Sequence, residues 1–214
     1  MGRDNRIMSD TRDRLLSSAE KLFAEKGIDG TSVREVNALA GQRNTSAIRY
    51  HFDGMSGLLE ALIALRMGAL DDARAEALQR LVEGSARLEV RIEDCVAVLV
   101  LPLAERVHAD PGWARWVRVL AQLISVRGQE HRPLWEGRFD KTTRAVFEMI
   151  RERELDVAEL EWQQRVDDMM MLCIGSLCER VCKLERDHDS ANLSAREYTS
   201  NLVRTATAVL QSPR

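Results

Sequence analysis

Apolar positions recur every three or four residues along most of this chain, the period of an α-helix with one buried face. Near the start, Leu15, Ala19, Leu22 and Phe23 keep that spacing. They predict a first helix capped at Ser9, Asp10 or Thr11, with residues 1–8 a disordered basic arm ahead of it. Gly27 stands where a helix-ending glycine belongs, and Gly30 opens a second break. Ser32-Val33-Arg34-Glu35 reads as a capping box, in which hydroxyl and carboxylate satisfy orphan amides at the start of a second helix. Val33, Val36 and Ala40 give that helix its buried face. Gly41-Gln42-Arg43 predicts a tight turn, and Asn44 caps a short third helix running to about Phe52. Ile48 and Phe52, four apart and apolar, face inward with Ala47 beside them. The pairs Thr45/Arg49 and Ser46/Tyr50 then point outward.

Beyond Asp53-Gly54 the helices lengthen. The pattern predicts helices over about 56–82, 87–108, 111–127, 133–153, 157–186 and 194–211. The second of these is apolar nearly all round (Val96, Val98, Leu99, Val100, Leu101), which marks a central buried helix, and Pro102 should kink it. No repeat or low-complexity segment interrupts the series. The expected fold is all-α: an N-terminal three-helix domain with a helix-turn-helix over residues 9–55, extending to about 69, then a larger helical domain over 56–214.

Composition agrees. Glycine and proline number only 12 and 4, while Leu, Ala, Arg and Glu dominate, all strong helix formers. The net charge of -3 rules out a polycation, and residues 1–55 carry nine Lys/Arg against eight Asp/Glu. Any nucleic-acid binding must therefore rest on where the basic groups sit. The charged first thirty residues do not read as a signal peptide, and the longest apolar run, 95–104, is too short to span a bilayer. A cytoplasmic location is expected, with the four cysteines reduced. There is no Gly-rich phosphate loop, nucleophile elbow or metal motif, so neither enzymatic activity, a cofactor nor a metal is expected.

The outward groups of the third helix are hydroxyls and a guanidinium, which suit phosphate oxygens and the major-groove edges of bases. Arg49 is placed to read guanine by a bidentate contact. The stretch Thr11-Arg12-Asp13-Arg14-Leu15-Leu16 followed by 19–27 resembles the first helix of the TetR family of bacterial repressors. Gly30 to Val36 resembles that family's second helix. Ala40-Gly41 through Tyr50-His51-Phe52 resembles its turn and recognition helix, and Leu58-Leu59 with Ala61-Leu62 the start of its fourth. The likeness covers residues 9–65, and its combined spacing is specific.

The resemblance implies a transcriptional regulator, most simply a repressor released from a palindromic operator by a small, apolar ligand. It implies that Thr31, Ser32 and Arg34 meet phosphates at the start of helix two, helped by the helix N-terminus. Arg43, Asn44, Thr45, Ser46 and Arg49 would face the groove, while Tyr50 and His51 hold the DNA backbone. This sequence departs from the family twice. It has one residue more between Ala-Gly and Tyr-His-Phe, which lengthens the turn. It also has Met55 where a phosphate-contacting lysine is common.

In the second half, the helix over 157–186 carries two apolar stripes and so needs two partners. Trp162, Val166, Leu177 and Val181, with Leu202, Ala206, Val209 and Leu210 of the last helix, are the candidate homodimer interface, built as a four-helix bundle. A palindromic reader needs two heads roughly 34 Å apart. The candidate effector pocket is lined by His108, Trp113, Trp116, Leu120, Phe147, Met169, Met170 and Cys173, where adaptable methionines suit an apolar cavity. Cys173, Cys178 and Cys182 cluster on one helix, but the CxxxC spacing is not that of a zinc site. Two alternatives stay open: a helical enzyme, or a protein-binding adaptor without DNA binding.

Overall fold

The structure is a computed structural model that describes residues 2–42, 44, 46–84, 90–134, 137–153, 157–186 and 193–212. Among the described residues there is no strand; the helices are α1 (Gly2–Lys26), α2 (Val33–Leu39), α3 (Ala47–Phe52), α4 (Met55–Gly84), α5 (Ile92–Ala109), α6 (Pro111–Ile124), α7 (Lys141–Arg151), α8 (Glu159–Arg186) and α9 (Ala195–Leu210). A 3₁₀ segment, Val126–Leu134, follows α6. The chain forms two compact units, Met1–Gly68 with Arg118–Glu136, and Ala69–Val117 with Gly137–Arg214. The segment after Val117 therefore belongs with the N-terminal helices, although it lies within the range the sequence reading gave to the second domain.

Several boundaries move from where the pattern put them. The first helix begins at Gly2, not at a Ser9–Thr11 cap, and the expected disordered arm is helical from residue 2. No proline stops the helix there, and a Ser, Asp or Thr caps only where the chain turns away. The predicted helix over 133–153 begins at Lys141 instead, because Pro133 falls inside the 3₁₀ segment. Residues 85–89, which include the predicted start of the helix at 87, lie outside the described residues; α5 is seen from Ile92.

In the first unit, α2 packs on α1 and α3 on α2. Leu15, Ala19 and Phe23 of α1, Val36 of α2, Ile48 of α3 and Leu58, Leu62 and Ile63 of α4 are buried. Burying a side chain of this size contributes about 1.5–3 kcal/mol, so the apolar stripe is what holds these short helices. One charged pair is buried with them: Arg66 of α4 donates Nε and an Nη to both carboxylate oxygens of Glu20 of α1, each at 2.7 Å.

In the second unit, α5 is central. It packs on α9, α7 and α8, and α8 packs on α9. Its buried residues, Cys95, Val96, Val98, Leu99, Val100, Pro102, Leu103, Ala104 and Val107, leave it little exposed face, as its sequence predicts. Asp71 of α4 receives the Thr142 amide at 3.1 Å and so caps the first turn of α7.

Candidate nucleic-acid interface

Two local devices hold the helix-turn-helix. The first is the turn between α1 and α2. Gly27 takes a left-handed φ of 88° and donates its amide to the Phe23 carbonyl at 3.1 Å, closing α1. Gln122 of α6 reaches the same turn. Its Nε2 donates to the Phe23 carbonyl at 2.9 Å and its Oε1 accepts from the Ile28 amide at 3.0 Å. The second device is the capping box. The Glu35 amide donates to Ser32 Oγ at 3.3 Å and the Ser32 amide to Glu35 Oε2 at 3.0 Å. Glu35 also receives a hydrogen bond from Lys26, and that contact, with those from Ser32, pulls its carboxyl down from 4.5 to about 2.

The recognition segment is anchored from beneath by Ile48 and Phe52, both buried as predicted, with Ala47 half-buried. The Arg12 guanidinium lies 5.1 Å from the centre of the Phe52 ring. On the outer side Arg49, Tyr50 and Ser46 are exposed, Tyr50 at 72%. His51 is half-buried and meets Tyr50 edge to face, with centroids 5.0 Å apart. The helix ends at Asp53, whose left-handed φ of 59° is a conformation that Asp tolerates better than most residues.

The structure corrects the predicted start of this helix. It begins at Ala47 rather than at Asn44, because the Asn44 carboxamide oxygen accepts from both the Ser46 amide (2.9 Å) and the Ser46 hydroxyl (2.6 Å). Thr31 is also corrected. It is buried and its hydroxyl donates to the Gly27 carbonyl at 2.8 Å, so it braces the turn instead of facing outward. Ser32 and Arg34 are exposed, as is Asn44. Arg43 and Thr45 lie outside the described residues. Met55 is half-buried at the first position of α4.

The residues expected to line one effector pocket are dispersed. Leu120 belongs to the first unit and the other seven to the second. Trp113 packs under Arg106, Trp116 is fully buried, and Phe147 meets Trp162 edge to face at 6.3 Å. His108 does not pair with Asp110. Its Nδ1 bonds the Ala104 carbonyl at 2.7 Å, and its Nε2 accepts from Arg180 Nε at 2.9 Å. Burial pushes its pKa down, and the Arg180 charge adds to that, so the ring is a neutral acceptor at pH 7. It lines a groove of about 510 Å³ between α5 and α9. Met169, Met170 and Cys173 do converge, on a separate, nearly closed cavity.

Of the expected dimer residues, Trp162, Leu177, Val181, Leu202, Ala206 and Leu210 are buried in the chain's own second unit, while Val166 and Val209 are half-buried. The other stripe of α8 is the outward one: Leu160 is 81% and Met171 49% exposed, and half-buried Cys178 and Cys182 share their face. Burial raises the Cys95 thiol and takes Cys173 up to about 12, which favours the protonated thiol at both. Asp29, Glu130 and His131 bring ligand atoms within 4.8 Å of one another, a grouping only the folded chain creates and one that surface acids often form without an ion. No helix among the described residues is long and apolar enough to cross a membrane.

An all-helical chain with a braced helix-turn-helix and a polar recognition face belongs to the class of helix-turn-helix DNA-binding proteins. Residues 15–62 match the family described as bacterial regulatory proteins, tetR family. Over this N-terminal segment the chain is similar to the TetR family. The "Probable HTH-type transcriptional regulator YttP" of Bacillus subtilis (strain 168) is 44% identical over 54 residues, 25% of this chain and 26% of YttP. The match thus spans about a quarter of that relative. Two solved structures are similar over nearly the whole chain. A TetR-family protein of Shewanella sp. PV-4 has a TM-score of 0.62 at 20% identity, covering 92% of this chain and 97% of its own. The fatty acid degradation regulator FadR from Bacillus halodurans has a TM-score of 0.61 at 17% identity, covering 95% and 96%. At these identities the likeness is one of fold.

Proposed function

We propose that this protein is a cytoplasmic transcriptional regulator that binds a palindromic operator as a homodimer and is released from it by a small ligand. The observation that carries the reading is α3: Ile48 and Phe52 fix it from below, while Arg49 and Tyr50 are exposed on its outer face. Arg49 supplies the base-reading guanidinium and Asn44 faces the groove beside it; Ser32, Arg34, Tyr50 and His51 are the backbone contacts. The second copy docks on the outward stripe of α8, around Leu160, Met171 and Cys178, with α9 beside it. Ligand can weaken operator binding only to the extent that it prefers a dimer with the wrong spacing of heads.

A mobility-shift titration against the DNA flanking the protein's own coding region tests this. We expect a salt-sensitive, sequence-selective shift. Arg49→Ala should cost about 1–3 kcal/mol of specific binding with little change on unrelated DNA. Unchanged operator affinity in Arg49→Ala would remove α3 as the reading element.

A further inference from the structure

Two carboxylates and an imidazole meet within the first unit. Asp29 lies in the turn between α1 and α2, and Glu130 and His131 lie in the 3₁₀ segment after α6. Their ligand atoms all fall within 4.8 Å of one another. Both segments are held by contacts that owe nothing to these three side chains. The Ile28 amide donates to Gln122 Oε1 at 3.0 Å and the Thr31 amide to the Ile28 carbonyl at 3.3 Å, which fixes the backbone on either side of Asp29. Gly128 donates its amide to the Ser125 carbonyl at 2.9 Å, and a Cβ there would fall 2.2 Å from the Gln122 carbonyl oxygen. Only glycine lets the chain fold back this tightly over the end of α6, and that fold-back delivers Glu130 and His131 beside Asp29.

The charges are left unbalanced. Among the described residues no lysine or arginine lies within ion-pair distance of Asp29 or Glu130. Lys26, close by in the chain, is taken by Glu35. Glu130 faces the His131 ring, with Oε1 3.7 Å from Nε2, and that ring is a cation only when protonated. Two like charges are thus brought together without a counter-charge from the protein, a cost that a bound cation removes. The His131 side chain is only 21% exposed, so its ring is held in place. Asp29 and His131 also line a recess of about 310 Å³, whose other walls include Gly30, Gln122 and Ser125. It has room for the water ligands that complete a shell of three protein donors.

We propose that Asp29, Glu130 and His131 bind one divalent transition-metal ion of the zinc type, which clips the 3₁₀ segment to the α1–α2 turn. One imidazole nitrogen and two carboxylate oxygens suit zinc, cobalt or nickel better than magnesium or calcium, which favour oxygen donors alone. Three donors at about 2.0–2.2 Å from one ion stand roughly 3–4 Å apart, so small side-chain rotations close the site. The ion becomes a second brace on the turn that Gln122 already holds. The site goes beyond DNA recognition and does not depend on it.

The test is calorimetric titration of the untagged, metal-stripped protein with zinc chloride, in a non-chelating buffer with excess magnesium chloride. We expect one zinc ion per chain, bound at micromolar concentration in spite of the magnesium. Asp29→Asn and His131→Ala should each weaken binding about tenfold or more, with unchanged helical circular dichroism. Cobalt(II) gives a readout that needs no variant. Its paramagnetism should broaden the amide NMR signals of residues 28–30 and 130–132 before those around Cys178 and Cys182 of α8. Absence of saturable zinc binding, undiminished binding in either variant, or cobalt broadening centred on other segments overturns the proposal.

Discussion

At the scale of single residues, the polar groups of the first unit are committed to holding a turn before they meet any partner. Glu35 shows this best. Its carboxylate faces Lys26 and the Ser32 hydroxyl and amide, and these contacts favour its charged form. Its folded pKa lies below the ordinary 4.5, so its contribution to stability is present in full above pH 4.5 and fades as pH falls toward 2. We expect a carbon-detected NMR titration to give a Glu35 midpoint near 2, and Lys26→Ala to raise it. A wild-type midpoint at 4.5 would mean that Lys26 does not hold this carboxylate. The Ser32–Glu35 box was legible in the sequence because a capping box is a local motif with fixed spacing. The Lys26 contact joins the end of α1 to α2 across a turn, and only the folded turn brings the two together.

At the scale of elements, two polar contacts add to the apolar stripe in joining the N-terminal helices. The Glu20–Arg66 pair ties α1 to α4 with both carboxylate oxygens engaged, Glu20 at 3% side-chain exposure and Arg66 at 17%. Glu20→Ala removes the carboxylate that takes two Arg66 donors, and we expect a loss of about 3 kcal/mol, read as a lower urea midpoint. A change under 0.5 kcal/mol would show the pair to be dispensable. Gln122 ties α6 to the end of α1. Gln122→Ala leaves the Ile28 amide without its acceptor and should cost about 1–3 kcal/mol. Because the turn it braces leads into α2, operator affinity should fall as well; full affinity in this variant would show that the turn holds its shape unaided. Neither residue stands out in the sequence: Glu20 lies inside the family-like stretch but reads as a surface acid, and Gln122 is one glutamine in a long amphipathic helix. Their partners are 46 and 94 residues away, beyond the reach of any periodicity.

At the scale of the whole molecule, the apolar pattern gave the helical type of the described elements but not their assignment to inner and outer faces. The helix over 157–186 was read as two-sided, as it is. The stripe assigned to a partner chain, Trp162, Leu177 and Val181, is the one that α5 and α9 cover within the chain; the stripe through Met171, Cys178 and Cys182 is the more open. Periodicity shows that a helix has two greasy sides and cannot say which neighbour covers which. We expect sedimentation to report a dimer, and a charge on the outward stripe, as in Met171→Glu, to shift it toward monomer. A monomeric wild type at micromolar concentration would refute dimerisation by this surface.

By itself, the order of residues determined what depends on neighbours in the chain. It set the helical class, the caps at Ser32 and Gly27, the inward Ile48 and Phe52, and the outward Arg49. Only the tertiary structure decided what depends on distant segments meeting. It closed a turn with Gln122, buried Glu20 against Arg66, dispersed the aromatic residues that looked like one pocket, and enclosed Arg74 against the Leu99 carbonyl. The physical reason is range: helix propensity and capping act over three or four residues, whereas burial and charge pairing depend on every segment that folding brings alongside.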